Sequence, residues 1–97
     1  MRLSATARKL KVLNAALSLA ETQGYANLSR QDVAAVSDTG GTLVSYHFGT
    51  MSEFRRALVA YAVERECLPV IAQAVVAGDV NLTATAALRR KALDSLV

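Results

Sequence analysis

The chain holds a single cysteine (Cys67), a single histidine (His47) and a single proline (Pro69) in 97 residues. One cysteine forms no intrachain disulfide, which predicts a reducing compartment. A lone histidine builds neither a metal site nor a catalytic dyad, and no acid and base pair, metal-ligand cluster or phosphate-cradling loop stands elsewhere. Catalysis, a metal and a cofactor are therefore not expected. No apolar run approaches the roughly 18 residues of a membrane span, and the basic start MRLSATARKLK leads into a patterned helix, not the apolar core of a signal peptide. The reading is a cytosolic protein with no membrane partner. Aromatic residues are 5% of the chain, so its 53% hydrophobic content rests mostly on Ala, Leu and Val, which suits packed helices better than a sheet sandwich.

At this length one compact domain is expected. Net charge is +3, and its placement says more than its size: residues 1 to 56 carry seven Lys or Arg against four acids, whereas the remainder carries four of each. All the excess positive charge lies in the first part of the chain, as in an electrostatic footprint for a polyanion.

Apolar spacing draws a first helix from Thr6 to Gln23, with Val12, Ala16, Leu19 and Ala20 in one stripe, Leu13 alongside, and Leu10 and Leu17 widening it. Gly24 supplies its stop. Ser29 and Asp32 have the spacing of a capping box and predict a short helix from about Arg30 to Val36, burying Val33, Ala34 and Val36. After the turn formers of residues 37 to 41, the segment TLVSYHF leans toward strand by propensity. A lone strand among helices has no partner, so a helix is the better reading. Thr50 and Glu53 suggest a second capping box opening a long helix, with stripes of Phe54, Leu58, Tyr61 and Leu68 and of Val59, Val63 and Val70. Pro69 predicts a kink or break near residues 65 to 69. A final helix is expected from Leu82 to Leu96, with Leu82, Leu88, Ala92, Leu93 and Leu96 on one side. Tyr25 and Tyr61 read as core or interface aromatics, Cys67 as core filling, and Arg55, Arg56, Arg89, Arg90 and Lys91 mainly as solvated helix faces.

Two short helices joined by a three-residue turn describe a helix-turn-helix, whose second helix can enter the major groove of DNA. Residues 12 to 58, VLNAALSLAETQGYANLSRQDVAAVSDTGGTLVSYHFGTMSEFRRAL, resemble the N-terminal DNA-binding domain of TetR-type transcriptional regulators. The resemblance rests on the first-helix run, on Gly24-Tyr25, on the capped Ser29 to Ala34 segment, and above all on Tyr46-His47-Phe48-Gly49-Thr50 followed by Phe54. It implies an all-α fold: a three-helix helix-turn-helix region over residues 1 to 50, then over residues 51 to 97 a long helix and a C-terminal helix forming a dimer interface.

The resemblance also implies a recognition helix from about Thr39 to His47. Gly40, Gly41, Thr42, Ser45 and Tyr46 would face the groove, with Tyr46 and His47 reaching the backbone and Phe48 anchoring the helix. Ser29, Arg30 and Gln31 would meet phosphates at the preceding helix start, where the dipole favours an anion. Thr50 would do the same at the next helix, and Arg2, Arg8 and Lys9 would lie along the adjacent backbone or minor groove. The implied partners are double-stranded DNA with a palindromic operator and a second copy of the chain, in a cytoplasmic, nucleoid-associated protein that is bacterial or encoded on a mobile element. The sequence departs from the family at Asp38 in the turn and at Met51, where a lysine commonly contacts phosphate. Only 39 residues follow Leu58, so no small-molecule inducer is expected. Two other readings are a protein-interaction module on the same scaffold, such as an antirepressor or co-regulator, and the truncated DNA-binding domain of a longer ligand-responsive regulator.

Overall fold

Four of the helix starts are fixed by a hydroxyl that accepts a backbone N–H one turn ahead. Ser4 accepts from Ala7, Ser29 from Asp32, Thr50 from Glu53 and Thr85 from Leu88, each at 3.1 Å. In the computed structural model, which describes residues 4–96, these caps open α1 (Ala5–Gln23), α2 (Arg30–Ser37), α4 (Met51–Glu64) and α6 (Ala86–Asp94). Between them lie a 3-10 turn (Tyr25–Asn27), α3 (Gly41–Phe48) and α5 (Leu68–Ala77). The described residues are all-α, without strands, and TLVSYHF is helical. No helix among them is long and apolar enough to cross a membrane.

The core is built mostly from aliphatic side chains, with the rings of Tyr25, Phe54 and Tyr61 among them. Val12, Leu13, Ala16, Leu17 and Ala20 of α1 are buried together with Leu28, Val33, Val44, Phe54 and Leu58. Phe54 meets Phe48 edge to face, with ring centroids 5.0 Å apart, and so ties the end of α3 to the start of α4. Leu17 is therefore core, whereas Leu10 is exposed and Leu19 only partly buried.

The long helix read after Thr50 is two helices. α4 ends at Glu64, Glu66 adopts a left-handed φ of 51°, and the Cys67 N–H returns to the Ala62 carbonyl at 2.8 Å. Pro69 falls in the first turn of α5, where its missing N–H leaves no helical bond unmade. The Cys67 thiol donates to Glu21 Oε1 at 3.1 Å. Burial, and then that hydrogen bond, push its pKa up to about 11, which keeps it a thiol at neutral pH.

Two boundaries differ from the sequence reading. α2 runs one residue further, so that Ser37 is buried and Val36 is 42% exposed. Positions 33 and 37 share a face at i and i+4, and the Ser37 hydroxyl is satisfied by donating to the Val33 carbonyl at 2.6 Å. The last helix starts at Ala86, not Leu82, because Thr85 caps it. Leu82 is buried in the preceding turn, and Leu93 and Leu96 are exposed.

A hydrogen-bonded clasp joins the end of α1 to α5. Gln73 accepts the Tyr25 N–H and donates to the Ala20 carbonyl, each at 2.8 Å, and the Tyr25 hydroxyl donates to Asp79 Oδ2 at 2.8 Å. Burial first, then the Asp79 carboxylate as hydrogen-bond partner and as charge, push the Tyr25 pKa up to about 12. A pKa raised on folding above an unfolded value near 10 stabilises the fold fully below pH ~10 and loses that contribution as pH rises toward ~12. Urea titrations of the native chain and Tyr25→Phe should therefore show the native chain ahead at pH 7 and its lead gone by about pH 12. A constant difference across that range contradicts the assignment.

Candidate nucleic-acid interface

Three residues, Asp38, Thr39 and Gly40, connect α2 to α3. Asp38 closes α2 in the left-handed region (φ 53°, ψ 44°), and the Thr39 N–H returns to the Ala34 carbonyl at 3.0 Å. That closure is normally glycine's, because a side chain crowds the following carbonyl, and the carboxylate also opposes the negative end of the α2 dipole. Asp38→Gly should stabilise the fold by about 0.5–1 kcal/mol, read as a thermal midpoint higher by a few degrees; an unchanged or lower midpoint would refute the closure. Thr39, placed by sequence inside the recognition segment, lies in this turn with its hydroxyl donating to the Ser37 carbonyl at 3.2 Å. The helix itself is Gly41–Phe48 with Gly40 as its cap residue, starting two residues and ending one residue later than expected, after an α2 that extends through Ser37.

Helical spacing sorts α3 into two faces. Val44 is buried and Phe48 packs on the core, whereas Thr42 and Tyr46 are exposed and Ser45 is half-buried beside them. Tyr46 is the most exposed aromatic ring, at 82%, and meets His47 edge-on with centroids 5.2 Å apart. His47 turns inward: its Nε2 is buried and has no hydrogen-bond partner among the described residues. Gly49 then ends α3 at φ 80°, and a Cβ there would collide with the Glu53 carboxylate. The Glu53 carboxylate thus lies against Gly49, so Thr50 and Glu53 make half of the expected capping box, the Thr50 hydroxyl receiving the Glu53 N–H.

The two glycines at the start of α3 are bare without being conformationally required. Gly40 has φ −64°, and a Cβ added there meets nothing within 4 Å. A Cβ on Gly41 would touch only the Arg30 side chain, at 3.7 Å, which is ordinary contact. The fold does not need glycine at either position, so what the pair leaves is an uncovered backbone at a helix N-terminus with Arg30 alongside.

At the start of α2, Ser29 and Asp32 exchange reciprocal bonds: Ser29 Oγ accepts from the Asp32 N–H at 3.1 Å and Asp32 Oδ2 accepts from the Ser29 N–H at 3.0 Å. The Ser29 amide, followed by its side chain, holds the Asp32 carboxyl below its ordinary pKa. A fixed negative charge therefore occupies part of the helix end that was read as open to an anion. Arg30 and Gln31 remain exposed in this first turn. Met51 is half-buried against the core at the start of α4. Arg8 and Lys9 are exposed on α1, and Lys9 lines a groove between α1 and α4. Arg2 lies outside the described residues.

Arg55 has a structural part that its helix face did not signal. Its Nη2 donates to the Leu28 carbonyl at 3.0 Å, bridging α4 to the residue just before the Ser29 cap. This fastens the starts of α2 and α4 to each other. No known family, curated protein or solved structure matches the chain.

Proposed function

We propose that the chain is a sequence-specific double-stranded DNA-binding protein that regulates transcription as a homodimer, with α2, the Asp38–Gly40 turn and α3 acting as a helix-turn-helix of the TetR type. The observation that carries this reading is α3 itself: Tyr46 stands out from one face with Thr42 and Ser45 beside it, the opposite face is pinned by Val44 and Phe48, and two bare glycines open the helix. A short helix held on the core by one side, with polar groups on the other, is suited to seating in a major groove. Arg30 and the excess positive charge of residues 1 to 56 add a sequence-independent attraction to phosphates. Exposed apolar residues on α5 and beyond α6, Val76 at 73% and Leu96 at 61%, support pairing of the C-terminal helices across a twofold axis. A mobility-shift series at rising salt tests the reading. A shift that prefers certain sequences and weakens steeply with salt is expected; no sequence-dependent shift at low salt contradicts it.

One observation favours a protein-interaction module instead. α3 carries no Lys or Arg, and its exposed residues include Leu43 at 44% next to the Tyr46 ring. In that reading the same face meets another regulator, and the salt series shows no sequence preference.

A further inference from the structure

We infer that the cleft between the start of α4 and the turn after α5 is a second phosphate site, which receives a DNA backbone phosphate beyond the reach of α3 and centres on Arg56. The inference rests on the DNA-binding reading above. The cleft, about 430 Å³, is lined by Ser52, Arg55 and Arg56 of α4, by Tyr25, and by Asp79 and Asn81 of the turn. Arg55 is held in place by its bond to the Leu28 carbonyl, and its Nε is buried with no partner among the described residues. Arg56 is exposed, and among the described residues it makes no hydrogen bond or ion pair; the one ion pair there joins Lys91 to Glu66. The carboxylate in the cleft is already engaged: Asp79 Oδ2 receives the Tyr25 hydroxyl at 2.8 Å and Oδ1 the Asn81 N–H at 2.9 Å. Two guanidinium groups thus line the cleft with one carboxylate, each of whose oxygens already accepts a hydrogen bond, which leaves the cleft net positive.

What makes the occupant a DNA phosphate is continuity. Arg55 bonds to the residue immediately before the Ser29 cap, so the cleft adjoins the α2 start that is proposed to lie on the backbone. A duplex seated on α2 brings its phosphates past this edge. A guanidinium there offers a phosphate two parallel N–H donors, which a lysine does not.

The test is the salt dependence of binding to a duplex enriched from a random pool, followed by anisotropy for the native chain, Arg56→Gln and Arg90→Gln. Arg90 is exposed on α6, outside the cleft, and removes the same charge. Arg56→Gln should reduce the slope of log K against log salt by about 0.9 and weaken binding several-fold at 0.1 M salt, with the enriched sequence and the melting temperature unchanged. Arg90→Gln should keep the native slope. An unchanged slope in Arg56→Gln, or an equal loss in both variants, overturns the phosphate site while leaving the DNA-binding reading intact. If the native chain enriches no sequence, both fall together.

Discussion

Tyr46→Ala leaves the melting temperature unchanged and weakens binding to the enriched duplex by at least tenfold, which is about 1.4 kcal/mol. The first half of that expectation follows from burial: the ring is 82% exposed and its aromatic neighbour is His47, so the core loses nothing. Alanine is also the better helix former, and exposed substitutions of this kind stay within about 0.5 kcal/mol of the native stability. The second half follows from position, because Tyr46 is the largest group that α3 presents and sits one turn after Thr42. Contacts of such a side chain to base edges carry about 1–3 kcal/mol. Gly40→Ala extends the test to the backbone. A Cβ there meets open space in the free protein, so lost affinity with unchanged stability would locate the duplex against the α3 N-terminus. If both variants bind as the native chain does, α3 is not the reading element.

Phe54→Ala destabilises the fold by about 3–5 kcal/mol. The ring is the largest of the fully buried side chains, and it carries the edge-to-face contact with Phe48 that seats the end of α3. A domain of this size has only about 5–15 kcal/mol of stability in total, so the variant should be largely unfolded at modest urea and fail to bind DNA even where Tyr46 is intact. Urea denaturation followed by circular dichroism measures the loss. A difference below about 1 kcal/mol would mean that the core does not depend on this ring as the geometry requires.

How much of this was legible in the sequence depended on whether the signal was local. The Ser29 to Asp32 spacing marked the start of α2, and Pro69 marked the division between α4 and α5, because a cap and a missing N–H act within one helical turn. The all-α fold followed from the Ala-, Leu- and Val-rich composition, from helical spacing and from the lack of a partner for a lone strand. The end of α2 was harder: serine reads as a turn former, yet Ser37 is buried because its hydroxyl finds the Val33 carbonyl, and α3 starts only at Gly41. The start of α6 was obscured by Leu82, an apolar residue that looks helical but packs from a turn. Contacts between distant residues left no local trace at all. Arg55 to Leu28 spans 27 positions and Tyr25 to Asp79 spans 54, and neither is implied by periodicity. In the candidate site, periodicity alone did not sort the short TLVSYHF segment, and the outward placing of Thr42, Ser45 and Tyr46 came from the family resemblance. The inward turn of His47 and the carboxylate of Asp32 at the α2 start depend on rotamers and on reciprocal bonding, which a linear pattern does not carry.

Selection of binding sites from a random double-stranded pool by the native chain reads DNA recognition and twofold symmetry in one experiment. A homodimer of this kind enriches a palindrome whose half-sites lie about 34–36 Å apart, or a multiple of that distance. A pool that remains random after successive rounds at low salt would contradict the DNA-binding reading.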